Sequence, residues 1–182
     1  MPNKDSTMRR MFALLLCALC AGPILAQTTK KPAAPVAKTQ DVIAELSGRT
    51  LDDKPWSLDS ARGKVVLVVF WSKDCAICRD RMPEMRANYA GWKGKPFELV
   101  SVSTDASMRD VTDYEKILAV TVPQAQNFPR LWRNAPGHHD NFGSLKTLPA
   151  SFLIDRNGKV VKQFVGRLEP AIWDDIAEMV LQ

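Results

Sequence analysis

The sequence predicts an α/β fold: a central mixed β-sheet flanked by helices, with a β-hairpin extension at its N-terminal side. Three observations carry this. Residues 65–69 (Val-Val-Leu-Val-Val) form an unbroken apolar, β-branched run bounded by turn residues, the mark of a buried strand. A second such run, 97–103 (Phe-Glu-Leu-Val-Ser-Val-Ser), follows a segment in which Met82, Met85, Tyr89 and Trp92 recur at helical spacing. Finally, Asn157-Gly158 stands between two apolar runs, 147–155 and 160–165, as the turn of an antiparallel hairpin.

The other elements fall around these. Residues 42–46 and 56–58 bracket a segment with turn chemistry, 48–55, and predict the short N-terminal hairpin. Arg62-Gly63-Lys64 turns into the first buried strand. In the helix after Cys78, Pro83 removes a backbone donor and is expected to kink it, and Gly91 and Gly94-Lys95-Pro96 end it. Residues 105–120 read as a second helix with Thr104 or Asp105 as its cap. The stretch 131–143, which holds the only histidines, His138 and His139, reads as irregular. Residues 169–181 close the chain as an amphipathic helix with Ile172, Ile176, Met179 and Val180 on one face.

At the N-terminus, Lys4, Arg9 and Arg10 precede an apolar run, 11–21, then Gly22-Pro23 and a small residue, Ala26. This is the layout of a secretory signal peptide. The run is shorter than the ~20 residues of a membrane span, so a membrane anchor follows only if the segment stays uncleaved. A lipoprotein signal is disfavoured because leucine precedes both Cys17 and Cys20. Residues 27–40, rich in Lys, Pro, Ala and Thr, read as a disordered linker. The expected organisation is a leader at 1–26, a linker at 27–40 and one domain at 41–182. The net charge is +5, and three of the basic residues lie in the leader. No basic block with interleaved aromatics marks a nucleic-acid surface.

The chemistry concentrates in Cys75-Ala76-Ile77-Cys78. The pair sits where a strand ends and a helix begins, and there the unpaired N–H groups and the helix dipole favour a thiolate, the form that attacks a disulfide. With Cys17 and Cys20 removed in the leader, Cys75 and Cys78 are the only cysteines left. A close pair in an exported chain reads as a redox couple rather than a staple, because so short a loop restricts the unfolded chain little.

Taken in order, residues 63–71 leading into Cys75 and Cys78, then Met82-Pro83, Leu148-Pro149, 152–155 and Gly158 resemble the thioredoxin-like proteins of the TlpA/ResA type, exported bacterial thiol–disulfide oxidoreductases. The resemblance spans about residues 42–182 and implies a thioredoxin-like fold. It implies Cys75 as the attacking cysteine, Cys78 as the resolving one, and a redox disulfide between them. Pro149 would be a cis-proline beside the dithiol, with Leu148 offering its backbone to an extended substrate and Trp71 a further substrate contact. It also implies a periplasmic location, protein thiol or disulfide substrates such as apocytochromes c, a DsbD-type membrane electron donor, and no cofactor.

The departures matter too. Asp74 stands where the family usually has tryptophan and opposes ionisation of Cys75, whereas Lys73 and Arg79 favour it. Arg81 occupies the place of a frequent glutamate, and Val69 that of the buried aspartate of thioredoxins proper. Asp74 and Asp80 are left as candidates for proton transfer or thiol tuning. Ala76-Ile77 brings no positive charge, which favours a reductant or exchange catalyst over a strong oxidant. Other readings are a non-catalytic binding module and a copper or zinc protein using Cys75, Cys78 and His138 or His139. A peroxiredoxin would need Pro-x-x-x-Thr-x-x-Cys; Ser72 stands at the threonine position, and the proline is missing.

Overall fold

The computed structural model describes residues 42–121 and 128–182; the expected leader and linker lie outside the described residues. The elements run β1 (Leu46–Arg49), β2 (Pro55–Ser57), a 3₁₀ turn (Leu58–Ala61), β3 (Val65–Trp71), α1 (Ala76–Ala90), β4 (Phe97–Ser103) and α2 (Met108–Thr121). There follow β5 (Arg130–Trp132), β6 (His139–Asp140), β7 (Ala150–Ile154), β8 (Val160–Val165) and α3 (Ala171–Leu181). The central sheet has the order β5-β4-β3-β7-β8. β3 pairs parallel with β4 and antiparallel with β7, so the sheet is mixed.

All seven residues of β3 are buried. A strand shows its side chains to alternate faces, so an unbroken apolar run means that both faces are covered. Val65, Leu67, Val69 and Trp71 join Cys78, Met82 and Met85 of α1, Val111 and Leu118 of α2, and Ile172, Ile176 and Val180 of α3. On the other face Val66, Val68 and Phe70 meet Leu46, Leu58, Leu131 and Phe152. The N-terminal hairpin supplies part of that cover: β1 pairs antiparallel with β2, and with β6 on its other side.

Several boundaries move for physical reasons. The hairpin is present, but its first strand begins at Leu46 rather than at residue 42. The stretch expected to be irregular contains β5 and β6, which form against the edges of β4 and β1. The helix α1 begins at Ala76, ahead of Cys78, and continues through Pro83 to Ala90. The helix α2 starts at Met108, three residues later than expected, because the Asp105 carboxylate is bound elsewhere; Ser107 Oγ accepts from Arg109 N instead. Gly158 turns the β7–β8 hairpin at φ +83°, and a Cβ there would also overlap the Arg62 guanidinium.

Candidate active site

Cys75 and Cys78 form a disulfide, with the sulfurs 2.11 Å apart, at the N-terminus of α1. Cys75 is the N-cap residue, and its Sγ accepts a hydrogen bond of 3.1 Å from Cys78 N. That N–H is one of the donors that an α-helix leaves unpaired in its first turn, so the sulfur is where a negative charge meets the positive helix end. Cys75 is half-buried and Cys78 fully buried. The helix imposes this asymmetry: Cys78 lies on the face shared by Met82 and Met85, while Ala76 and Ile77 face solvent.

The turn ahead of Cys75 is held from β4. Parallel pairing sets Trp71 opposite Ser103, so Asp105, two residues on, comes alongside Lys73. Its carboxylate accepts from Ser72 Oγ (2.6 Å), Ser103 Oγ (2.8 Å) and Lys73 N (3.1 and 3.2 Å). Thr104 N donates to Trp71 O. Sequence reasoning missed Asp105 as part of the site; the usable signal was its place just past the end of a strand neighbouring the cysteine strand.

The other expected residues fall as follows. Leu148-Pro149 is a cis peptide leading into β7, and Pro149 O accepts from Gly166 N. Trp71, expected as a substrate contact, is buried, 1 % exposed, and packs on Tyr114. Asp74 is exposed and paired with Lys73 Nζ at 3.2 Å. The Asp74 hydrogen bond, helped by the charge of Asp110, holds the Lys73 ammonium above its usual pKa. Asp80 is exposed between Arg81 and Arg167. Among the described residues no hydrogen bond joins either carboxylate to a cysteine sulfur.

Arg81 pairs with Glu84, and both line a small cavity of about 20 Å³ with Val69, Met85, Pro149 and Ser151. That is room for about one water, and Ser151 Oγ is buried without a hydrogen-bond partner among the described residues, while Arg81 Nε has only the ion pair with Asp80 at 3.4 Å. A carboxylate therefore stands beside Pro149 although the position three after Cys78 is basic. The metal set is not assembled. His138 Nε2 sits on Asp140 and His139 Nε2 on Glu45, each at 3.0 Å. Among the described residues no group of three or more metal-ligating side chains forms.

Residues 38–163, well over half of the chain, match the AhpC/TSA family. The chain belongs to that family. Among the relatives of this chain, the thiol–disulfide oxidoreductase ResA of Bacillus thuringiensis (strain Al Hakam) is 30 % identical over 129 residues, covering 69 % of this chain and 65 % of its own length. The chain thus spans just under two thirds of that relative. ResA of Geobacillus thermodenitrificans (strain NG80-2) is 30 % identical over 164 residues, covering 88 % of this chain and 87 % of that protein. The crystal structure of a thiol:disulfide interchange protein of the thioredoxin family from Chlorobium tepidum TLS superposes with a TM-score of 0.62 at 26 % identity, covering 80 % of this chain and 99 % of that one. The expected thioredoxin-like fold is borne out.

Proposed function

We propose that this AhpC/TSA-family chain is a thiol–disulfide oxidoreductase that exchanges disulfides with protein substrates through Cys75 and Cys78. The observation that carries the reading is the asymmetric pair at the start of α1, with a half-buried Cys75 sulfur and a fully buried Cys78. The names of the relatives support the same chemistry.

In the reductive direction the Cys75 thiolate attacks one sulfur of a substrate disulfide. The bond between Cys75 and that sulfur forms, the substrate S–S bond breaks, and the released substrate thiolate takes a proton. Cys78 then loses its proton and attacks Cys75 Sγ, which closes the internal disulfide and releases the second substrate thiol. Two electrons pass from the dithiol to the substrate, and the reverse sequence oxidises a substrate dithiol. The Cys78 N–H at 3.1 Å from Cys75 Sγ favours the thiolate at the attacking position. Leu148, ahead of the cis-Pro149, offers backbone to an extended substrate segment.

The finer reading is an exported reductant or exchange catalyst in the periplasm. It would draw electrons from a DsbD-type membrane donor and act on thiol proteins such as apocytochromes c. It rests on the sequence of the leader segment and on the lack of a cationic residue between the cysteines. Among the described residues no helix is long and apolar enough to cross a membrane.

Insulin reduction with dithiothreitol as electron source tests the activity. The full chain should accelerate insulin precipitation and Cys75→Ala should not. Equal, negligible rates for both would overturn the proposal and leave a binding module.

A further inference from the structure

Asp105 is a charged group in an uncharged setting. It is 5 % exposed, and the donors that reach its carboxylate are two hydroxyls and one backbone amide. Its own carbonyl accepts from Trp132 Nε1 (2.7 Å) and Asn134 Nδ2 (2.9 Å), which ties the same residue to β5 and the loop beyond it. The cations nearby are engaged elsewhere. Lys73 Nζ lies on Asp74 and Asp110, and Arg79 Nη1 donates to Lys73 O.

The contacts reach the reactive sulfur through the backbone. Lys73 N gives its hydrogen to Asp105. Asp74 N donates to Ser72 Oγ, whose own hydrogen goes to Asp105, and Cys75 N donates to Ser72 O. Three successive amides ahead of the sulfur are thus committed to Asp105 or to Ser72, so none of them turns toward Cys75 Sγ. A buried carboxylate with no ion pair among the described residues also opposes a second negative charge at the end of the turn it holds. A disulfide carries no charge, so this repulsion acts only on the thiolate.

We propose that Asp105 is a positioning residue of the dithiol: it holds the 72–74 turn ahead of Cys75, and its buried charge disfavours the Cys75 thiolate, which biases the couple toward the disulfide. This rests on the reading of Cys75 and Cys78 as a working redox couple, and it gives that couple a reducing bias in the absence of any charge between the cysteines. The charged groups around the turn are Lys73, Asp74, Arg79, Asp105 and Asp110. Of these, Asp105 is the buried one.

The test measures iodoacetamide alkylation of Cys75 against pH in the reduced full chain, for wild type, Asp105→Asn and Ser103→Ala. In Asp105→Asn the midpoint should fall by about one pH unit. Well below the midpoint the thiolate fraction then rises about tenfold, and the lower nucleophilicity of a more acidic thiol offsets about threefold of it, so alkylation runs about threefold faster. An unchanged or raised midpoint overturns the proposal, even if the melting temperature drops. Ser103→Ala keeps the charge and every amide contact of the 72–74 turn but removes one donor to the carboxylate, so its midpoint should rise. An unchanged or lowered one overturns the proposal as well, and this arm decides alone if Asp105→Asn does not fold. A glutathione titration of wild type keeps the two readings apart: failure of Cys75 and Cys78 to interconvert reversibly between dithiol and disulfide would sink the oxidoreductase reading itself.

Discussion

Glu115 on α2 joins three elements, and its removal should be among the costlier single changes in the chain. Its carboxylate accepts from Arg86 Nη2 of α1 at 3.0 and 3.2 Å and from Arg130 Nη1 of β5 at 2.9 Å. The Arg86 side chain is only 7 % exposed and that of Glu115 11 %, so neither charge falls back on water if its partner goes. In Glu115→Gln, Arg130 keeps Asp52 at 2.9 Å, whereas Arg86 loses its anionic partner among the described residues and keeps a neutral amide oxygen and the face of Phe128 at 5.1 Å. Leaving one member of a buried pair alone costs about 3–5 kcal/mol, and a cation over an aromatic ring returns about 1 kcal/mol. The expected loss is therefore about 3 kcal/mol, measured by urea unfolding of the oxidised protein. In Glu115→Gln with Arg86→Met the uncompensated charge is gone, so the double variant should be more stable than the single one. A loss below about 1 kcal/mol in the single variant, or a double variant less stable than it, would refute the reasoning.

Two further outcomes follow from the same geometry. Burial pushes the Asp140 carboxyl up, but hydrogen bonds from His138 and Arg133, the charge of Arg133 and the Phe142 N–H outweigh it and hold the pKa far below the usual range. A folded-state pKa depressed in this way adds stability above the unfolded value near ~3.9 that disappears as pH falls toward the folded one. Melting curves from pH 6 to pH 2 should show wild type losing about 2 kcal/mol more than Asp140→Asn across that window, and parallel losses would contradict the assignment. Gly158→Ala places a side chain at φ +83° and displaces the Arg62 guanidinium. The backbone part, about 1–2 kcal/mol, should persist when Arg62→Ala is added, because removing the arginine relieves only the overlap; full recovery in the double variant would count against it.

Local signals were the legible ones. The runs that became β3 and β4 and the Asn-Gly turn between β7 and β8 could be read because side-chain period and turn chemistry are written within a few residues. The C-x-x-C pair could be read for the same reason, since four adjacent positions place one sulfur at the N-cap and the other in the first turn. The short strands β5 and β6 carried no such signal: three and two residues are too few for a period, and they form because an edge of β4 or β1 waits for them. The burial of Trp71 was not legible either, because the strand continues past residue 69 and takes the ring into the core.

What the amino-acid order determined alone was the inventory: which runs pair into strands, where the dithiol sits on its helix, and that no cation separates its cysteines. Tertiary structure decided the surroundings of the sulfur. The contacts between Asp105 and Ser72 and between Arg86 and Glu115 join positions 33 and 29 residues apart. Partners so distant in sequence meet only after the parallel register of β3 and β4 and the packing of α1 against α2 have been set. A carboxylate's effect depends on whether water or protein surrounds it once that has happened.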